Sequence, residues 1–475
     1  MSASTPSPEV KVPHLYGGRV ASHRLHVIII GGGIGGLSAA YTLASAGHTI
    51  TLLESASVLA EVGAGVHISP NATRLLFRWG LREKLAAVVS PMEGFTFRRG
   101  RDGAVLGYTR FGSLIETKHG SPYCTVHRVD LHAMLAEIAT THENVTIRLN
   151  STVVGVDPEK PTVTLADGSV VKGDLVVGAD GLKSMVRDVV VGRPDRPNPT
   201  GDGAYRAVIP TDVMENDLEL VPFLDTPDTT VWLAESRHVV SYCVRGRKEF
   251  NLVFTRPDDG AIESWRAEGK VDDMMEEYAG FEPRVIKLIS QIKNPLRWRL
   301  VDREPLETWV HPDGRVVLLG DACHPMLPYR AQGATMALED AAVLGNVLSH
   351  LPSLSLLHPF MDAYQKLRHS RTSATQLASR QAKQVFHIPE GPKQVARDAN
   401  LRERLRDQAR QKDLDGGFDG LLSETVESED EKKAADNHWA DEQKNIEQYS
   451  YDADEAVDRW WAEEGEALSH AVSGN

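Results

Sequence analysis

Gly31, Gly33 and Gly36 fall in a G-x-G-x-x-G spacing, within a run that has five glycines in six positions. Such a run makes a tight turn, admits a pyrophosphate against the backbone, and lets a helix pack closely on a strand. A helix starting there presents free N–H groups to phosphate oxygens. Glu54 lies eighteen residues beyond Gly36, where a carboxylate accepts hydrogen bonds from ribose hydroxyls. Alone, this unit implies a dinucleotide and does not separate FAD from NAD.

Two later segments narrow the choice. Asp174-Leu-Val-Val-Gly-Ala-Asp-Gly181, with Arg187 six residues on, reads as a buried strand ending in a glycine turn around Asp180. The segment from Arg315 to Asp340 says more. A buried strand delivers Asp321 at its C-terminal end, where ligands bind in an open α/β sheet. A proline-bounded loop follows, and Gln332-Gly333-Ala334 opens a helix. A carboxylate for polyol hydroxyls and a helix N-terminus for the negative end of a reduced ring are demands a flavin makes.

A third set of residues faces a different task. Arg206 is able to fix a carboxylate or phenolate, and His238 or Tyr242 to orient or deprotonate a phenol. His238 and Tyr242 are four apart, so a regular strand sends both to one side. His67 and Tyr329 are weaker candidates for the same pocket. On pattern alone, single polar residues in strands are more often ordinary sheet positions. Cys323 and His324 read as structural; neither HxxxH nor HExxH spacing supports a metal site, so none is expected.

Positioning these groups requires particular elements. Leu25 to Ile30 and Thr49 to Leu53 read as buried strands flanking a helix from Leu37 to Ala46, a βαβ opening. Helices are expected at Pro70 to Leu85 and Val129 to Thr140. A small antiparallel sheet is expected from Val145–Ile147, Val153–Val156 and Thr162–Leu165. From about Gly201 to Leu300 alternating strands (Thr230–Leu233, His238–Val244, Phe250–Thr255) and helices (Ile262–Tyr278, Pro283–Ile289) suggest an inserted antiparallel sheet domain. Val316–Leu319 returns to a buried strand, followed by helices at Gly333–Leu348 and Phe360–Val385. The expected organisation is a polar leader (1–24), a nucleotide domain in two parts (25–200 and 301–385), a substrate domain (201–300) and an acidic, partly helical extension (386–475).

Composition is that of an ordinary globular protein, with 41% hydrophobic and 25% charged residues. A net charge of -14 argues against nucleic acid or an anionic membrane surface as partner. Three scattered cysteines point to a reduced compartment. Val27 to Leu53 carries no Asp, Glu, Lys or Arg, but its glycines divide it into strand, loop, helix and strand, unlike a membrane span.

Together and in order, the three segments resemble the class A flavoprotein monooxygenases, the group containing 4-hydroxybenzoate and salicylate hydroxylases. The resemblance covers about Leu25 to Val385. It implies an α/β fold, a Rossmann-like FAD-binding domain carrying an inserted antiparallel β-sheet substrate domain, 4-hydroxybenzoate hydroxylase-like. By it, Gly31, Gly33, Gly36 and Glu54 hold the ADP part of FAD. Asp321 meets the ribityl or pyrophosphate region, Gly333 and Ala334 the ring. Arg128, in His-Arg-Val-Asp-Leu, also touches FAD, and Ala64 and Gly65 form the loop beside the flavin. Arg206, His238 and Tyr242 match substrate-contacting positions of the salicylate, 3-hydroxybenzoate and 6-hydroxynicotinate hydroxylase branch and of fungal phenol-dearomatising enzymes.

The implied activity is NADH- or NADPH-driven hydroxylation of a small phenolic or aromatic acid substrate by O2, through a flavin C4a-hydroperoxide, decarboxylating where the attacked carbon bears a carboxylate, as in salicylate hydroxylase. A single dinucleotide fingerprint fits a pyridine nucleotide that only visits. The enzyme is expected to be cytoplasmic, a monomer or homodimer, without nucleic acid or membrane insertion. The alternatives are dearomatising hydroxylation of a polyketide-type phenol in secondary metabolism, a non-hydroxylating FAD oxidoreductase, and a non-catalytic nucleotide-binding protein.

Overall fold

In a computed structural model, residues 14–59, 63–258, 260, 267–402 and 442–473 are described. A five-stranded parallel sheet forms the base, in the order Val316–Leu318, Leu175–Gly178, His26–Ile30, Thr49–Leu53, Val145–Arg148. Its three central strands are almost wholly apolar because helices cover both faces. Val145–Arg148, expected in the small antiparallel sheet, instead pairs in parallel with Thr49–Leu53 as the edge of this one. The antiparallel trio is Val153–Asp157, Thr162–Leu165 and Val170–Lys172.

The first helix spans Ile34–Ser45 and begins inside the glycine run, three residues earlier than expected. The helix Gly333–Ser349 lies against it, buried from Thr335 to Ser349. Thr42 Oγ1 donates to Ala341 O at 2.8 Å where the two approach. The expected helix Pro70–Leu85 is two, Pro70–Arg78 and Arg82–Val88. Gly80, at φ +82°, breaks it.

The second sheet has eight strands and is mixed rather than purely antiparallel. Thr229–Ala234 pairs in parallel with Gly94–Arg99, so Gly94–Arg99 and Val105–Arg110 enter this sheet from well before residue 201. Its core is Asn198–Pro210, Glu249–Pro257 and Arg237–Val244, antiparallel neighbours in register Arg206↔Val253↔Val240. Tyr205, Trp232, Phe250 and Phe254 pack on the helices Val271–Glu277 and Pro283–Ser290. The first of these is shorter than the expected Ile262–Tyr278: Ala267–Glu268 is a strand, and 261–266 lie outside the described residues. The opposite face carries Ala204, Val231, Leu233 and Trp298 toward the base, where Leu327, Tyr329 and Phe386 meet it.

The helix Leu357–Phe386 braces the base through Arg368, fully buried between Glu339 (2.6 Å) and Asp340 (2.8 Å). Beyond it the chain does not simply trail over the surface. Glu442–Tyr449 and Ala453–Trp460 are helical. Trp460 is buried against Phe360, and Trp461 stacks on His350 at 3.8 Å.

Candidate active site

The glycine loop is shaped by its neighbours. Gly31 sits at φ +105°, a left-handed conformation that suits glycine, and a Cβ there would overlap the Ala179 carbonyl. A Cβ on Gly36 would overlap Gly31 O, so the first and third glycines are needed for backbone contact within the fold itself. Gly33 caps the helix Ile34–Ser45. Gly32 N–H donates to Glu54 Oε2 at 2.7 Å, and Glu54 Oε1 accepts from Ala56 N–H at 2.7 Å. His132, which the sequence reading missed, hydrogen-bonds Gly32 O at 2.7 Å from the helix Arg128–Thr140.

Asp180 turns out to be a cap. Its oxygens accept from Ser184 Oγ at 2.5 Å and from Met185 N–H at 2.8 Å, fixing the start of the helix Met185–Val191. Burial raises its pKa, and these hydrogen bonds oppose the rise.

One cleft of about 650 Å³ brings Gly31, Gly33, Glu54, Arg128 and Asp321 together with the substrate sheet; Gly36, Ala64, Gly65, Gly333 and Ala334 are not among its lining residues. Arg206 and Trp298, from the substrate sheet, line it as well. Asp321 is exposed at the end of its strand. Gly333 and Ala334 form the first turn of the helix behind it. Ala64 O accepts from Arg128 N–H at 3.1 Å. A Cβ on Gly63 would sit 2.9 Å from that of Arg128. Glu54, Asp180 and Asp321 each bring a carboxylate to the cleft, beside the glycine turn at Gly31–Gly33. FAD fits this donor set.

Arg206 lies over the Trp298 ring at 4.4 Å, with its Nε buried and without a partner. Burial pulls its pKa down to about 10 and Arg128 adds to the fall, while Tyr242 opposes it; it stays cationic at neutral pH. Tyr242 OH donates to Gly65 O at 2.7 Å. Gly65 N–H in turn donates to Asn251 Oδ1 at 2.8 Å. The His67 ring meets that of Tyr242 edge-on at 4.3 Å. His67 Nδ1 is buried without a partner, and burial lowers its pKa to about 3.

His238 and Tyr242 share a face, as the spacing requires, but they are not brought together. Four residues of strand separate them by about 13 Å. His238 turns instead to His387, at 2.8 Å between ring nitrogens, and to Thr255 Oγ1 at 3.3 Å. Beside this pair Tyr329 OH donates to Asp202 Oδ2 at 2.6 Å, and Lys383 Nζ lies 3.0 Å from the same oxygen. Burial, with His387 adding, keeps His238 well below the usual histidine range. No local pattern announces His387, Asn251 or Asp202; each is a partner from a distant strand or helix.

Cys323, His324 and Asp340 form a buried group whose ligand-type atoms lie within 4.8 Å of one another. Asp340 Oδ2 accepts from Gly320 N–H at 3.0 Å and lies 2.5 Å from His324 Nε2, while Oδ1 accepts from Arg368 at 2.8 Å. These contacts tie the Asp321 turn to two helices.

Comparison with known proteins matches residues 24–379 to the family described as FAD binding domain. The FAD-dependent monooxygenase OpS4 of Beauveria bassiana (strain ARSEF 2860) is 37% identical over 379 residues, 79% of this chain and 88% of that one. The 3-hydroxybenzoate 6-hydroxylase 1 of Aquipseudomonas alcaligenes is 36% identical over 369 residues, 77% of this chain and 90% of that one. A salicylate hydroxylase solved as a substrate complex superposes with a TM-score of 0.67 at 27% identity, covering 83% of this chain and 97% of that one.

Proposed function

Because the chain belongs to the family of FAD-dependent monooxygenases that carry this FAD binding domain, we propose that it hydroxylates a phenolic or aromatic acid substrate. O2 and NADH or NADPH are consumed, and water and the oxidised nucleotide accompany the product. The observation that carries the reading is the single cleft lined by Glu54, Asp321, Arg206 and Trp298. Arg206 over the Trp298 ring supports a cationic, aromatic-backed wall in this cleft for the substrate.

FAD, when bound, supplies the activation of oxygen. The chain's own residues bind and exclude. Glu54 receives the ribose hydroxyls, the turn at Gly31–Gly36 the pyrophosphate, and Asp321 the ribityl region. Arg128 adds positive charge to the cleft. The N-terminal turn at Gly333–Ala334 stabilises negative charge on the ring. Ala64 and Gly65 close the near side.

Arg206 anchors a phenolate or carboxylate by charge-assisted hydrogen bonding through its unpartnered Nε. Tyr242 has its proton committed to Gly65 O, so its oxygen is left to accept from a substrate hydroxyl and thereby to orient it. His238, engaged on both sides, supports this wall through Thr255 and His387. The apolar residues Val240 and Val253 between them keep water from the reacting carbon.

Among the described residues no helix is long and apolar enough to cross a membrane. A cytoplasmic location is proposed with this reading, supported by the three free, buried cysteines. The test is oxidation of NADH or NADPH by the yellow holoprotein, with a panel of phenols and phenolic acids. Stimulation accompanied by a product one oxygen heavier supports hydroxylation, and the product's ring spectrum separates an aromatic from a dearomatised outcome. Stimulation that yields only hydrogen peroxide across the panel overturns it.

A further inference from the structure

The helix Glu442–Tyr449 lies beyond the family-matched residues 24–379, yet its end reaches the loop beside the cleft. Gln448 Nε2 donates to Gln332 Oε1 at 3.0 Å, and Gln332 Nε2 donates to Ser69 Oγ at 3.1 Å. Ser69 Oγ donates to Asn71 Oδ1 at 2.7 Å, and Asn71 Nδ2 to Glu339 Oε1 at 2.7 Å. Glu339 holds Arg371 at 2.8 Å, and Arg371 Nη2 donates back to Gln448 O at 2.8 Å. The circuit is closed, and all its members but Arg371 are buried. In a closed circuit each amide has one orientation that satisfies every neighbour. Gln332 is the residue before the helix Gly333–Ser349.

The next residue, Tyr449, enters a buried aromatic group that leads to Tyr242. It meets Tyr123 at 5.8 Å and Phe111 at 6.2 Å, and is 2% exposed. Tyr123 in turn lies 5.8 Å from His67, the neighbour of Tyr242. Tyr123 OH, like His67 Nδ1, is buried without a partner. Two unsatisfied polar atoms on one aromatic wall are costly unless a ligand meets them.

We propose that the C-terminal segment is a working wall of the active site, with Gln448 and Tyr449 as positioning residues for Gln332 and Tyr123. The ligand they shape the pocket for is a phenol whose hydroxyl reaches the Tyr123 and His67 side. This rests on the proposed function and adds a specificity element outside the family-matched residues.

The test uses the full-length holoprotein. Gln448→Glu keeps the side chain's size but removes the donor; Tyr449→Ala removes the ring and Tyr449→Phe retains it. Readouts are the visible spectrum of bound flavin and the affinity for 3-hydroxybenzoate, salicylate and resorcinol, titrated through that spectrum. Where a phenol turns over, the share of NADH or NADPH that yields hydroxylated product is also measured. Gln448→Glu and Tyr449→Ala are expected to shift the flavin spectrum, weaken phenol binding about tenfold, the size of one buried hydrogen bond, and raise the peroxide share several-fold. Tyr449→Phe should behave as wild type, and Trp461→Ala, stacked on His350, should lower the melting temperature alone. Wild-type spectra in Gln448→Glu and Tyr449→Ala, with only stability reduced, overturn the inference. Wild-type holoprotein that hydroxylates no phenol counts against the proposed function, and the flavin spectra still decide this one.

Discussion

Tyr242 donates its hydroxyl proton to the backbone oxygen of Gly65 at 2.7 Å, and its ring occupies the space a Cβ on Gly65 would need. Strand Arg237–Val244 of the substrate sheet is thus locked to the loop beside the cleft by one pair. Gly65→Ala is expected to push Tyr242 aside, at a cost of about 1–3 kcal/mol in unfolding free energy, and to cut product formation. Tyr242→Phe removes the bond alone. It should cost about 1 kcal/mol of stability while lowering turnover about a hundredfold. Urea denaturation and product assays separate the two, and full turnover in Tyr242→Phe would refute the orienting role.

Arg206 keeps its charge despite burial, lines the cleft, and has a buried Nε without a partner. Arg206→Gln is expected to raise KM for an anionic phenolic substrate about ten- to a hundredfold, the range of a lost charged hydrogen bond. Flavin content should be unchanged, because Arg206 belongs to the substrate sheet. An equal effect on a neutral phenol would argue that the residue only packs.

Gly36 has Gly31 O where a side chain would begin. Gly36→Val should therefore displace the helix Ile34–Ser45 from the loop and yield protein without flavin, read as loss of visible absorbance at matched protein absorbance. Glu54→Gln should retain the fold and weaken FAD binding, measured by fluorescence on dilution. Stoichiometric flavin in Gly36→Val would contradict the geometry of the turn.

Histidines held neutral by burial make the fold sensitive to acid. His67 is lowered to about 3, His387 and His48 to about 4, and His350 to about 3, burial being the main cause in each. The unfolded chain binds these protons near pH 6.5 and the folded one does not, so these four groups add stability as pH rises between about 4 and 6.5 and contribute no further change above. Unfolding midpoints in urea across that window check the sign. His387→Gln should reduce the slope, and a midpoint independent of pH would refute the account.

The turn at Gly31, the strand ending at Asp321 and the helix opening at Gly333 were legible because each is a local pattern of a few residues with its own steric reason. Strand directions were less so. Val145–Arg148 alternates as an edge strand of either sheet type would, and only its neighbour Thr49–Leu53 decides. Gly94–Arg99 was invisible as part of the substrate sheet because its partner Thr229–Ala234 lies far along the chain. The pairing of His238 with His387 spans 149 residues and that of Gln332 with Gln448 spans 116. Such contacts follow from tertiary packing, which periodicity does not encode. The tail reads in sequence as an acidic, partly helical extension whose aromatic residues suggest docking, but the Gln448 amide that joins it to Gln332 has no local signal among so many charges.

The parallel base sheet has a consequence for how the protein is made. His26–Ile30 pairs with Leu175–Gly178, and that strand pairs with Val316–Leu318. During synthesis the glycine turn leaves the ribosome long before either of the strands that complete its side of the sheet. Sheets assembled from such distant strands form slowly. The cleft is therefore completed late: a nascent chain lacks its full lining until Asp321 has been made.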